Sequence, residues 1–96
     1  MAEMIETVKK LVLDYLNDED VKVFLFGSRA RGEGTPSSDV DIGIIPGNAW
    51  NKKKLTLLRE AIENANIPCR VELVEFADVS ENFKHHALKD SVIWKD

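Results

Sequence analysis

The sequence predicts an α+β domain of mixed α/β layers, a small sheet with helices packed on it. Three observations carry this. Apolar residues recur at helical spacing in two long stretches, near residues 3–16 and 51–65. Short β-branched or aromatic runs stand between and after them, at 21–26, 39–45 and 70–76. Helices and strands therefore alternate along one chain, the pattern of a layered domain. The 96 residues show no internal repeat, low-complexity tract or linker, so residues 1–96 read as a single domain.

The elements follow in order. Over 3–16, Met4, Val8, Leu11, Val12 and Tyr15 form one apolar stripe. Asn17, Asp18, Glu19 and Asp20 break it. The strand at 21–26 stops at Gly27, and Ser28 to Gly32 has room for one helical turn. Residues 33–38 are a loop punctuated by Gly34 and Pro36, and the strand at 39–45 ends before Pro46-Gly47. The second helix carries Leu55, Leu58, Ile62 and Ala65 on its apolar face, and Pro68 marks its end. A third strand spans 70–76. Asp78 or Ser80 caps a third helix running to about Lys89, with Glu81 placed to complete a capping box from Asp78. Residues 91–94 are a short fourth strand.

Composition narrows the class. Apolar residues make up 44%, enough for a folded core rather than disorder. No apolar run approaches the roughly 20 residues that span a bilayer, and MAEMIETVKK lacks the apolar core of a secretory signal. No membrane association is expected. A lone cysteine, Cys69, has no internal partner for a disulfide, which suits a cytoplasmic protein. The balance of 13 basic against 17 acidic residues, net −4, argues against a general nucleic-acid coat. It leaves room for a local cationic site, since a phosphate responds to nearby charge more than to net charge.

The chemistry concentrates in FLFGSRARGEGTPSSDVDIGII. Gly27-Ser28 directly follows a strand. Glycine permits positive φ and close approach of a ligand, and backbone N–H groups opening a helical turn point at an anion. The Ser28 hydroxyl adds a donor, and Arg31 adds charge, whereas Arg29 suits a salt bridge to Glu33 or another acid. The result is a cradle for a triphosphate. It is not a Walker loop, because Glu33 and Gly34 stand where lysine and Ser/Thr are required. Nor is it a dinucleotide fingerprint, because Ser37 occupies the place of the third glycine.

Asp39-Val40-Asp41 is the second element. Side chains alternate along a strand, so Asp39 and Asp41 share a face while Val40 and Ile42 turn to the core. Their Cα atoms would lie about 6.6 Å apart, close enough for both carboxylates to converge on one cation or bridge two. Magnesium takes one or two protein carboxylates and fills its octahedron with water and phosphate oxygens. A bare Asp-x-Asp is more often a solvated strand start. Here the pair is tied to Gly-Ser by ten residues, Arg29 to Ser38.

GSRARGEGTPSSDVD resembles the signature of the nucleotidyltransferase superfamily, Gly-Ser, ten residues, then Asp-x-Asp. More closely, it is similar to minimal nucleotidyltransferases that act as antitoxins in bacterial and archaeal two-gene modules. The motif spans residues 27–41, and the order of elements extends the likeness over nearly the whole chain. The resemblance implies a mixed sheet flanked by helices, as in the palm of DNA polymerase β. It implies Mg²⁺-dependent transfer of a nucleoside monophosphate, AMP from ATP in the closest types, to a hydroxyl with release of pyrophosphate. Gly27 and Ser28 would contact the triphosphate, and Asp39 and Asp41 would bind two Mg²⁺ ions. The family's third carboxylate lies on a later strand between apolar residues. Glu72 in RVELVEF fits that place, as a metal ligand and proton acceptor, with Glu75 on the opposite face as the alternative.

Larger relatives carry a second domain that grips the base or the acceptor, and no residues remain here for one. A partner protein, a homodimer or both would complete the site. The resemblance implies a small helical toxin of the HEPN type, whose tyrosine receives AMP. Two other readings stand beside this one: an antitoxin that acts by binding alone, and a transferase that modifies an antibiotic or sugar.

Other residues carry less. His85 and His86 are adjacent on a helix and diverge, so they do not form a ligand pair. Cys69 reads as a small core residue, Lys52 to Lys54 as a solvated run, and Trp50 and Trp94 as core or contact residues.

Overall fold

The computed structural model describes residues 2–27, 29–30, 32, 39–77 and 79–96. Three helices and four strands follow one another as α1 (Ala2–Leu16), β1 (Val21–Phe26), β2 (Val40–Pro46), α2 (Lys53–Asn64), β3 (Val71–Glu75), α3 (Glu81–Lys89) and β4 (Val92–Lys95). The strands form one sheet in the order β3-β2-β1-β4. β2 and β4 run antiparallel to β1, and β3 runs parallel to β2. This is the mixed α+β architecture expected from the sequence.

One face of the sheet holds the main core. Val8, Val12 and Leu16, spaced by one helical turn on α1, are fully buried. They pack with Leu55 and Leu58 of α2 onto Val21, Val23 and Leu25 of β1, Val40, Ile42 and Ile44 of β2, and Leu73 of β3. Cys69, Trp50 and Trp94 pack against this cluster as partly buried residues. A fully buried Val, Leu or Ile contributes about 1.5–3 kcal/mol. The exposed Lys22–Asp96 pair, at 3.2 Å, adds at most about 1 kcal/mol. Apolar burial therefore sets the register of the sheet.

The other face is built differently. Phe24 of β1 is fully buried there against Phe26 and Phe76, with ring centroids 5.7 and 5.2 Å away. Phe83 of α3 extends the group through Phe76 at 5.5 Å. Gly43, paired with Phe24 across the ladder, leaves the space the Phe24 ring fills; a β-carbon there would overlap the ring. Ser80 caps α3, its hydroxyl accepting from the Phe83 N–H at 3.2 Å. The alternative cap, Asp78, lies outside the described residues.

Element boundaries moved by one or two residues. α2 starts at Lys53 rather than 51, because the Asn51 side chain accepts the Lys53 N–H at 3.1 Å and holds the preceding chain out of the helix. β2 starts at Val40, whose N–H donates to Arg70 C=O at 2.8 Å, the first bond of that ladder. Among the described residues no helix is long and apolar enough to cross a membrane.

Gly43→Val forces the buried Phe24 ring to move in a closed aromatic group. It is expected to destabilise the fold by about 1–3 kcal/mol, read as a lower midpoint in thermal or urea unfolding.

Candidate active site

β2 places its side chains alternately on the two faces. Val40, Ile42 and Ile44 enter the main core, so Asp41 must project from the opposite face. Its partner on β1 is Phe26, the last residue of that strand, and its partner on β3 is Glu72. Asp41 is thus flanked by the start of the glycine bend on one side and by a second carboxylate on the other.

The bend closes over it. Gly27 has φ +81°, a conformation that glycine adopts without steric cost. A β-carbon on Gly27 would lie 2.5 Å from Asp41 Oδ2. Glycine is therefore required twice, by its backbone angle and by the carboxylate packed against it. Beyond it, the Ala30 N–H donates to Gly27 C=O at 3.1 Å and the Gly32 N–H to Arg29 C=O at 3.3 Å. Ser28 and Arg31 themselves lie outside the described residues.

The electrostatics mark Asp41 as the strained member. Burial, then the charges of Asp39 and Glu72, push its carboxyl above its ordinary value, against an opposing pull from the Arg70 guanidinium. Asp39 is exposed at the entrance to β2. Arg70 lies 3.9 Å from Glu72 and steadies a side chain that is 46% exposed. Arg70 was visible in the sequence only as a same-face neighbour of Glu72. The parallel pairing of β3 with β2 is what brings it to Asp41.

Glu75 is engaged elsewhere. Its Oε2 accepts the Trp50 indole N–H at 2.6 Å, and its Oε1 lies 3.4 Å from Lys52 Nζ. The side chain is 18% exposed, on the helix-covered face. Lys52 makes this contact with 78% of its side chain exposed; Lys53 is exposed too, as expected of a solvated run, and Lys54 is half-buried. His85 and His86 are both exposed on α3, with ring centroids 6.3 Å apart.

Asp39, Asp41 and Glu72 carry oxygen donors of the kind that hard divalent cations take. Burial and, after it, the charges of Asp39 and Glu72 disfavour an ionised Asp41, and a cation held there would favour it. Among the described residues no three acidic, histidine or cysteine groups converge closely enough to enclose an ion by themselves. Magnesium does not need three, because phosphate oxygens and water complete its shell. The chemistry of the acids is compatible with such an ion.

Among the described residues, two clefts border this group. One, of about 390 Å³, lies at the β3 edge between Arg59 and Glu63 of α2 and Arg70 and Glu72. The other, of about 210 Å³, lies beside Gly27, between the end of β1 and α3.

Comparison with known proteins adds to this geometry. The family described as "Polymerase beta, Nucleotidyltransferase" matches residues 7–96. A probable protein adenylyltransferase, MntA, from Haemophilus influenzae is 34% identical over 74 residues, which are 77% of this chain and 65% of that protein. The chain therefore spans slightly less than two thirds of that relative's length. A solved structure described as a minimal nucleotidyltransferase superposes with a TM-score of 0.73 at 23% identity, covering 94% of this chain and 92% of that one. A toxin–antitoxin crystal structure with AMP-PNP gives 0.67 at 19% identity, over 90% and 71% of the two chains. A tri-AMPylated Shewanella oneidensis HEPN toxin in complex with MNT antitoxin gives 0.62 at 16%, over 93% and 70%. At these identities the solved structures establish the shared fold.

Two variants test the site's packing without any ligand. Gly27→Ala meets both a disfavoured φ and the Asp41 carboxylate, and is expected to lower stability by about 1–3 kcal/mol in denaturant unfolding. Asp41→Asn removes a charge that burial and the neighbouring acids disfavour and is expected to raise the thermal midpoint of the ligand-free protein.

Proposed function

The chain belongs to the polymerase beta nucleotidyltransferase family, and we propose that it transfers AMP from ATP to a hydroxyl group of a partner protein, releasing pyrophosphate. The observation that carries this reading is the position of Asp41, pressed against the Gly27 bend on one side and paired with Glu72 on the other. The curated relative's description as a protein adenylyltransferase supports AMP as the group moved. The complexes with AMP-PNP and with an AMPylated HEPN toxin support ATP as donor and a HEPN-type protein as acceptor.

In this reading the backbone at Gly27 and Ser28 holds the β- and γ-phosphates, and Arg31 offsets their charge. Asp39 and Asp41, with Glu72, would hold the magnesium ions, which when bound neutralise the phosphates and the charge that develops on the leaving oxygen. The acceptor oxygen attacks the α-phosphorus from the side opposite the leaving pyrophosphate. One P–O bond forms, the bond to the bridging oxygen breaks, and the hydroxyl proton passes to Glu72. Since the pyrophosphate lies at the Gly27 end, the acceptor approaches past Glu72, where the β3-edge cleft opens. The face of Glu75 and its contacts with Trp50 and Lys52 support Glu72 rather than Glu75 in this role.

The test is transfer of label from α-phosphate-labelled ATP to a HEPN-domain protein of the same genome, in Mg²⁺. Label on the partner is expected, and Asp41→Ala should cut its rate by a factor on the order of 10²–10³ or more. Glu72→Gln should cut it comparably, while Glu75→Gln should leave the rate near that of the wild type and lower the thermal midpoint. A tight complex with no label transferred, unchanged by Asp41→Ala, would instead establish an antitoxin that acts by binding alone. Label on a second copy of the chain or on a small hydroxylated molecule, and none on the partner, would reassign the acceptor.

A further inference from the structure

A nucleotide donor has a nucleoside end as well as phosphates to be held. The cleft beside Gly27 has the right place and chemistry. Its walls are Phe26 and Gly27 at the end of β1, and Phe83, His86, Ala87 and Asp90 on or just after α3. Gly27 belongs both to this cleft and to the bend over Asp41, so an occupant lies one residue from the proposed phosphate cradle.

Size and lining restrict the occupant. Clefts that take a drug-sized molecule run to roughly 300–1,000 Å³. About 210 Å³ suits a single flat ring system rather than a whole nucleotide. The wall is aromatic and aliphatic at Phe26, Phe83 and Ala87. Phe83 packs against Phe76 yet keeps 48% of its surface exposed, an unusual state for a phenylalanine and one that a stacked ring would end. His86 and Asp90, one helical turn apart, supply a polar rim.

The geometry of in-line transfer decides between the two flat groups of the reaction. The leaving pyrophosphate sits at the Gly27 bend, so the acceptor oxygen arrives from the opposite, β3 side. A cleft bordered by Gly27 does not serve that approach. The base of the donor, tethered through ribose to the α-phosphate, is the remaining flat ring. We propose that this cleft binds the nucleobase of the donor triphosphate, with Phe83 stacking on its face and the Asp90 carboxylate accepting a hydrogen bond from an exocyclic amine, as adenine carries. This rests on the nucleotidyltransferase reading given above. An ionised carboxylate only accepts, so Asp90 favours a base edge that donates.

Calorimetric titration with Mg²⁺-ATP, Mg²⁺-ITP and Mg²⁺-tripolyphosphate separates the base from the phosphates. Phe83→Ala is expected to weaken ATP binding on the order of tenfold or more and leave tripolyphosphate binding unchanged. Ala87→Leu, which fills the cleft while keeping an apolar helix face, should do the same. ATP should bind more tightly than ITP, which lacks the amine, and Asp90→Asn should reduce that difference. His85→Ala, on the same helix outside the cleft, should change none of these. Unaltered ATP binding in both Phe83→Ala and a folded Ala87→Leu protein would overturn the proposal and leave the phosphate site standing. Failure of the wild-type protein to bind either ATP or tripolyphosphate would overturn the nucleotidyltransferase reading itself, and this proposal with it.

Discussion

Val40, Ile42 and Ile44 are fully buried, and their burial dictates where Asp41 points. A one-residue slip of β2 would drive that carboxylate into the core and bring three aliphatic side chains out. Each of those side chains is worth about 1.5–3 kcal/mol in place, and it is their burial that keeps Asp41 where burial and the charges of Asp39 and Glu72 disfavour its ionised form. The core therefore holds the acid in an unfavourable position. The requirement for glycine at 27, the pairing with Glu72 and the approach of Arg70 all follow from that register.

The sheet divides labour between its faces. Under α1 and α2 lies an aliphatic core that supplies most of the stability. On the other face, acids and phenylalanines stand side by side, with Phe26 directly across the ladder from Asp41. β3 shows the division within one strand. Glu72 faces the acids and is partly solvated, whereas Glu75, three residues on, faces the helices and is held by Trp50 and Lys52. One glutamate is left available for chemistry and the other closes a seam between β3 and the start of α2.

Much of this arrangement was legible in the sequence because it is local. The alternation at 39–45 put Val40 and Ile42 inside and Asp41 outside, and the structure agrees. The break after Phe26 located the bend. What joins distant residues was not legible. Nothing in the spacing of Gly27 and Asp41 says that the carboxylate packs on the glycine, because that depends on β1 pairing with β2. The Trp50–Glu75 bond spans 25 residues and leaves no periodic trace. The group of Phe24, Phe26, Phe76 and Phe83 comes from β1, the end of β3 and α3, so no single segment displays it. The strand order, which brings Arg70 beside Asp41, is likewise a tertiary fact. The signature pointed to Asp39 and Asp41, and only the fold shows how closely the Gly27 bend and Glu72 approach Asp41.

In the proposed function the Gly27 bend, Asp39, Asp41 and Glu72 face one shared polyphosphate and cation site, and Glu75 is turned away from it. Paramagnetic broadening of amide resonances by Mn²⁺, with a non-hydrolysable ATP analogue present, tests this directly. Broadening is expected to be strongest at Gly27, Asp39 to Asp41 and Glu72, and clearly weaker at Glu75 and the Trp50 indole N–H. Broadening centred on Glu75, or spread without preference over the acidic surface, would contradict it.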